Sequence, residues 1–295
     1  MADTRRFSNP AADAWIDKPI PCLDHGFVML KDYMGGDASI VQAARVSYGE
    51  GTKKASDDKG LIAYLMRHRH TTPFEMVDLK FLVKLPIFVA RQWIRHRTAS
   101  VNELSARYSV MADEFYLPKK EDVRYQSTLN RQGGSDEEVS DELCGRVVET
   151  LRAGAERAYN EYEEMIEANI ARELARTHLP VSLYTQWYWK INLHNLLHFL
   201  ELRLDTHAQY EIRVYAQAMS QIVKDVVPWT WEAFEEFRLN AQTFSASEKA
   251  VLAMLLQGKE VVLPESLQKG GRRREFEEKL ATLGVDPATV LPPAK

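Results

Sequence analysis

Two stretches of strict alternation, each running directly into a helix signal, constrain this chain more than anything else in it. From Glu75 to Leu85, the apolar Val77, Leu79, Phe81, Val83 and Leu85 alternate with Asp78, Lys80 and Lys84. A period of two over that length predicts a strand with one buried face. The second stretch places Leu183, Thr185, Trp187, Trp189 and Ile191 on one face, with Tyr184, Gln186, Tyr188 and Lys190 opposite. Pro86 suits the first turn of a helix over 87–97. Asn192 suits the cap of a helix that runs to about Leu204. Helices outnumber strands and the order is not a repeating βαβα. The expected class is therefore α+β, helix-rich with a small antiparallel-type sheet, rather than a doubly wound sheet.

The rest of the chain divides around these elements. Residues 1–20, with Pro10, Pro19 and few apolar anchors, read as a mobile arm. Helices are expected from Asp37 to Val46 and from Lys59 to about His68, before Pro73 breaks the pattern. The Ser-, Asn- and Thr-rich 98–105 read as a loop, followed by a short strand around Ala106–Met111. A surface excursion over 119–139 precedes a long helix from Ser140 to about Ala168 and a short turn through Arg176. Thr206 to Gln209 has the form of a capping box for a helix to about Val226, with a last amphipathic segment over 231–237. Beyond Asn240 the texture changes, and Ser245 with Glu248 can box a further helix. The expected organisation is an arm over 1–20, a main domain over 21–240 and a helical extension over 241–295.

Composition sharpens one segment. The chain carries 42 acidic against 38 basic residues, a formal net charge of -4. That balance predicts no general affinity for nucleic acid or anionic membrane, so any anion site must be a local cluster. Arg91 and Arg95, four apart, share a helix face, and Arg95 and Arg97 also complement the C-terminal end of the helix dipole. The dipole does not account for the polar set just beyond them: Ser100, Asn102, Glu103, Ser105 and Arg107. Forked guanidinium donors, short hydroxyls and a carboxylate acceptor together suit a phosphorylated, hydroxyl-bearing ligand; a surface salt-bridge network is the competing explanation. His70, Thr72, Gln92, Arg203 and His207 lie at neighbouring element ends.

Several chemistries are disfavoured. There is no GxGxxG, GxxxxGK[ST] or GxSxG, and only 14 glycines, so side chains rather than a glycine cradle must hold any pyrophosphate. His194 and His198 have metal-capable spacing but lack an intervening glutamate and a third ligand, so no metal is expected. Cys22 and Cys144 show no CxxC spacing. The N-terminus has no apolar core of a signal peptide, and no apolar run reaches membrane-spanning length, so a cytoplasmic enzyme is expected.

The segment Arg95-His96-Arg97, seven residues and then Ser105, extended by Arg107 and Tyr108, resembles the signature of flavin-dependent thymidylate synthases. The resemblance continues, in the family's order, through LDHGFVML near Leu23, QAARVSYG near Ala43, TTPFE, PIFVARQWIRHR, LPVSLYTQWYWKINLHNLLHFLELR and DTHAQYEI. It covers most of residues 20–238. It implies an α+β homotetramer with active sites shared between subunits, making dTMP from dUMP. Methylenetetrahydrofolate would give the methylene, and NADPH the reducing equivalents through FAD.

Carried over position by position, the resemblance implies that Gln92, Arg95, Glu103, Leu104, Ser105, Arg107, Arg176 and Arg203 bind dUMP. Ser105 and Arg107 would face its phosphate from a neighbouring subunit. Thr72, Arg95, His96, Arg97, Glu103, Asn192, His194 and His198 would line the FAD site. His70 and Tyr108 are candidates for the folate side. Arg203 resembles the catalytic arginine at the uracil edge, where a fixed cation favours ionisation at N3. His194 and His198 stand where other members carry Arg and Asn, which makes the first contact pH-sensitive. An alternative reading, a nucleic-acid-binding module, takes the Arg cluster as a phosphate site and the Trp/Tyr-rich strand 184–190 as a stacking platform.

Overall fold

The computed structural model describes residues 8–46, 58–128, 133–135 and 137–293. Residues 1–7 of the expected arm, 47–49 of the QAARVSYG block, and 129–132 and 136 of the 119–139 excursion lie outside the described residues.

The chain divides into two units, Met1–Phe234 and Glu235–Lys295. In the first, helix α1 (Pro10–Asp13) leads to strands β1 (Pro19–Cys22) and β2 (Gly26–Met34). Helices α2 (Asp37–Val46) and α3 (Asp58–Arg67) follow, then β3 (Asp78–Pro86), α4 (Ile87–Trp93) and β4 (Ser100–Glu103). The long α5 (Asp141–Glu167), the short α6 (Arg172–Ala175), β5 (Tyr184–Asn192), α7 (Leu193–Arg203), α8 (Tyr210–Val226) and α9 (Pro228–Phe234) complete it. The sheet is antiparallel, in the order β1-β2-β3-β5-β4.

The two alternating stretches form neighbouring strands of that sheet, β3 and β5, paired from Asp78↔Asn192 to Pro86↔Tyr184. Val77, Leu79, Phe81, Val83, Leu85, Trp187, Trp189 and Ile191 are all buried. Trp93 at the end of α4 meets this face. Its ring stacks on Phe199 of α7 at 4.7 Å and stands edge-on to Trp187 at 5.7 Å and Trp189 at 5.2 Å. Aromatic pairs of this kind contribute about 0.5–1.5 kcal/mol each beyond the area they bury. They fix the end of α4 against both β5 and α7. A second cluster, Met111, Phe115, Ala155, Tyr159, Tyr162 and Leu183, seats α5 beside the start of β5. There the Tyr159 hydroxyl donates to the Met111 carbonyl at 2.7 Å, and Met111 N–H to Tyr162 Oη at 3.2 Å.

Several local expectations are met. Asn192 caps α7 by accepting from Asn195 N–H at 3.0 Å, and Ser140 caps α5. Others are corrected. The expected strand over 106–111 is absent. The strand is the polar β4 inside the expected loop, because its backbone pairs with β5 from Ser100↔Lys190 to Glu103↔Trp187. Helix α4 ends at Trp93, so Arg95–Arg97 lie in the turn beyond it. The Thr206 box does not form. Asp205 Oδ1 takes the turn by accepting from His207 N–H at 2.7 Å, and α8 starts at Tyr210 without a side-chain cap. Residues 9–16, read as part of a mobile arm, are packed. Ala12 is buried, Asn9 Nδ2 donates to the Val226 carbonyl at 2.9 Å, and Trp15 Nε1 donates to Asp225 at 2.7 Å.

The second unit carries α10 (Ala246–Leu256), α11 (Gly271–Thr282) and α12 (Pro287–Val290) around Val251, Leu263, Leu267, Phe276, Leu280 and Leu291. The Ser245–Glu248 capping box is present, and Glu248 also pairs with Lys279 at 2.9 Å. Among the described residues, no helix is long and apolar enough to cross a membrane.

Candidate active site

Strands β3 and β5 are antiparallel neighbours, so α4 and α7 leave opposite ends of the pair, and the end of α4 meets α7 where Trp93 stacks on Phe199. Arg95, His96 and Arg97 turn out of α4, with His96 half-buried and both arginines exposed. Across from them, Arg203 closes α7. Its Nε–H donates to His96 Nε2 at 3.1 Å. The His96 ring stands edge-on to Phe199 at 5.0 Å and faces His198 at 6.1 Å. Burial first, then the Arg203 and His198 charges, pull the imidazole down to about 4. It is neutral near pH 7, and because Nε2 accepts, its proton sits on Nδ1. Burial also lowers Arg203 from the ordinary guanidinium range. The group stays charged, but in an environment that screens it less than water does.

Asn192 caps α7, which carries His194, His198 and Arg203. The 3-10 turn Thr72–Met76 packs beside this helix, and Leu193 N–H donates to the Val77 carbonyl at 2.7 Å, which ties the residue just past that turn to the start of α7. Arg69, at φ 59, reverses the chain after α3. His70 N–H then bonds the Leu65 carbonyl at 2.9 Å, and its exposed ring stands edge-on to Tyr64 at 5.8 Å.

On the other side of β5, Glu103 at the end of β4 accepts from Thr185 Oγ1 at 2.8 Å. The exposed Leu104 is tied by its N–H to the Gln186 carbonyl at 2.8 Å. Ser105 opens a tight turn, its Oγ accepting from Arg107 N–H at 3.3 Å and its carbonyl from Tyr108 N–H at 3.0 Å. Arg107 lies over the ring of Tyr108, which is 75% exposed. Arg176 sits in a short turn after α6, and Gln92 is half-buried on α4. Among the described residues, no hydrogen bond or ion pair joins the 105–108 turn to Arg203.

The geometry thus gathers His96, His198 and Arg203 into one cluster, with Arg95 and Arg97 at its edge. Ser105, Arg107 and Tyr108 lie on the turn that follows β4, with Ser105 half-buried and the other two exposed. Two contributors escape the sequence reading. Thr185 orients Glu103, and its only signal is a hydroxyl among the bulky residues of a buried face. Arg172 donates to the Tyr108 carbonyl at 3.2 Å, a contact with no local sequence signal. Among the described residues, the guanidinium groups of Arg95, Arg97 and Arg176 have no hydrogen-bond or ion-pair partner. In a chain with more acids than bases, such open cations fit an anionic ligand better than a salt-bridge network.

A family model described as "Thymidylate synthase complementing protein" matches residues 29–229. The chain is also 53% identical over 287 residues to a flavin-dependent thymidylate synthase from Rickettsia typhi, covering 93% of this chain and 97% of that one. The chain belongs to the flavin-dependent thymidylate synthase family. A further member, from Gluconobacter oxydans, is 55% identical over 283 residues, covering 95% of this chain and 92% of its own. In three dimensions the chain is similar to a UMP/dUMP methylase, PolB from Streptomyces cacaoi, bound with 5-Br dUMP. The TM-score is 0.67 at 35% identity, over 75% of this chain and 99% of PolB. As a flavin-dependent thymidylate synthase, the protein is an enzyme and a methyltransferase. The nucleic-acid-binding alternative finds no support. In its stacking platform, the strand 184–190, Tyr184, Trp187 and Trp189 are buried and only Tyr188 is open to a base.

Proposed function

We propose that this enzyme converts dUMP, methylenetetrahydrofolate, NADPH and a proton into dTMP, tetrahydrofolate and NADP+. The observation that carries the assignment of roles is the half-buried Arg203, held at Nε and open at its two Nη groups. Forming a carbon–carbon bond at C5 requires electron density in the pyrimidine. A guanidinium beside the developing N3/O4 charge stabilises that state. No enzymatic thiolate is needed. Cys22 and Cys144 are buried outside the site, and burial pushes the Cys22 thiol up to about 12.

The donor set fits FAD. Open guanidiniums at Arg95 and Arg97, the Thr72 hydroxyl, the imidazoles of His96, His194 and His198, and Asn192 offer hydrogen bonds to phosphate and ring oxygens without a glycine loop. Bound FAD supplies the reducing equivalents that turn the transferred methylene into a methyl group. Gln92, Arg95, Glu103, Leu104, Ser105, Arg107, Arg176 and Arg203 hold dUMP, and His70 and Tyr108 serve the folate side. The resemblance that places Ser105 and Arg107 against the dUMP phosphate from a neighbouring subunit supports an active site completed by a second subunit. We accordingly propose a cytoplasmic homotetramer, with no catalytic role for 119–139 or for the extension after Asn240.

Incubating the flavin-loaded protein with dUMP tritiated at C5, methylenetetrahydrofolate and NADPH is expected to release tritium to water. A flavin-loaded protein that releases none overturns the assignment. Light scattering on active protein checks the assembly, and a fully active monomer contradicts the shared site.

A further inference from the structure

We propose that His96 is a positioning residue for Arg203: as a neutral acceptor it fixes the guanidinium without neutralising it. The proposal rests on the role given to Arg203 above. It adds a reason why an imidazole, rather than a carboxylate, sits at that place.

A guanidinium can be held at its two Nη ends or at the single Nε–H. Here the contact is at Nε, 3.1 Å from His96 Nε2. Among the described residues no other side chain bonds Arg203, so both Nη groups remain available to a ligand. A carboxylate would hold Nε more strongly. It would also bring a full negative charge next to the cation and cancel much of the field that makes the arginine useful. Neutral imidazole gives the direction and leaves the charge intact.

The acceptor is itself held. His96 N–H bonds the Trp93 carbonyl at 2.9 Å, its ring packs edge-on to Phe199, and Phe199 stacks on Trp93. Both partners of the hydrogen bond are therefore anchored on the same aromatic cluster, although 107 residues separate them in sequence. The charged and titratable groups facing the ring from α7 are Arg203 and His198, and Arg95 and Arg97 flank it in its own turn. All are basic. A proton on Nε2 would replace the acceptor by a donor pointing at a cation, and the surroundings oppose that protonation.

Three substitutions separate orientation from charge, each measured as dTMP formed per bound flavin. His96→Gln keeps a neutral acceptor and is expected to stay within about tenfold of the parent kcat. His96→Phe keeps the ring packing without an acceptor, and kcat is expected to fall about 10²-fold, the usual cost of a loosened catalytic group. His96→Glu keeps an acceptor but adds charge, and is expected to fall with the Phe variant rather than with Gln. The KM for dUMP is expected to move less than kcat in the Phe variant.

Independently of activity, 15N NMR of the unsubstituted protein is expected to show His96 Nε2 unprotonated from pH 6 to 8, with a midpoint near 4. A Phe variant within threefold of the parent overturns the proposal, as does a Glu variant matching Gln. So does an imidazole that titrates near 6.5. The 15N titration does not depend on dUMP being the substrate, and tritium release by the parent enzyme decides that point before the variants are compared.

Discussion

Arg203→Ala is expected to lower kcat for dTMP formation by about 10²–10³-fold, the range seen when a single preorganised donor to a developing negative charge is removed. The cation is half-buried at the end of α7 and held at Nε, so its charge is weakly screened and its direction is set before substrate arrives. The loss belongs to the chemical step. Flavin absorbance of the purified variant is expected to remain near parental, because Arg203 is assigned to the pyrimidine and not to FAD. Arg203→Lys keeps charge but lacks the planar fork and the Nε–H, and is expected to recover little. Retention of more than a tenth of parental turnover by Arg203→Ala, measured by tritium release per bound flavin, sinks the catalytic assignment.

Gly26→Ala is expected to destabilise the protein by about 3 kcal/mol, a sum of overpacking and the loss of a buried hydrogen bond. Gly26 begins β2 opposite Cys22 of β1. An added Cβ would overlap the Tyr215 hydroxyl and lie 2.7 Å from the Cys22 carbonyl oxygen and 2.8 Å from that of Lys84. The two carbonyls belong to paired strands and cannot move aside as a flexible side chain does. Tyr215 is fully buried and donates to the same Lys84 carbonyl at 2.9 Å, so it can yield only by giving up that bond. For a unit of this size the change corresponds to a fall of roughly 6–12 °C in Tm. A melting curve within 2 °C of the parent would show that the β1–β2 turn adapts.

The features legible in the sequence are those whose signals are local. The buried faces of β3 and β5 can be read because every second residue from Val77 to Leu85 and from Leu183 to Ile191 has the same fate. Asn192, Ser140 and Ser245 are legible as caps because each acts on the next turn of its own helix. Strand β1 is hidden by Pro19 and Pro21, residues that argue against a strand unless it lies at an edge, as this one does. Strand β4 is hidden because all four of its residues are exposed; only pairing with β5 makes it a strand. The RHR segment marks the site, but the bond from Arg203 to His96 spans 107 residues and leaves no periodic trace. Nor does the hydroxyl of Thr185 on Glu103.

Neither β3 nor β5 is separated from its helix by a loop: Pro86 is followed at once by Ile87, and Asn192 by Leu193. The two helices therefore behave like the jaws of a calliper whose opening is set by strand length. One residue inserted in β5 would advance α7 by about 3.3 Å and exchange the inner and outer faces of everything beyond it. Libraries meant to alter substrate scope should hold both strand lengths constant, vary side chains at the jaws, and confine insertions to the largely exposed 123–128 stretch.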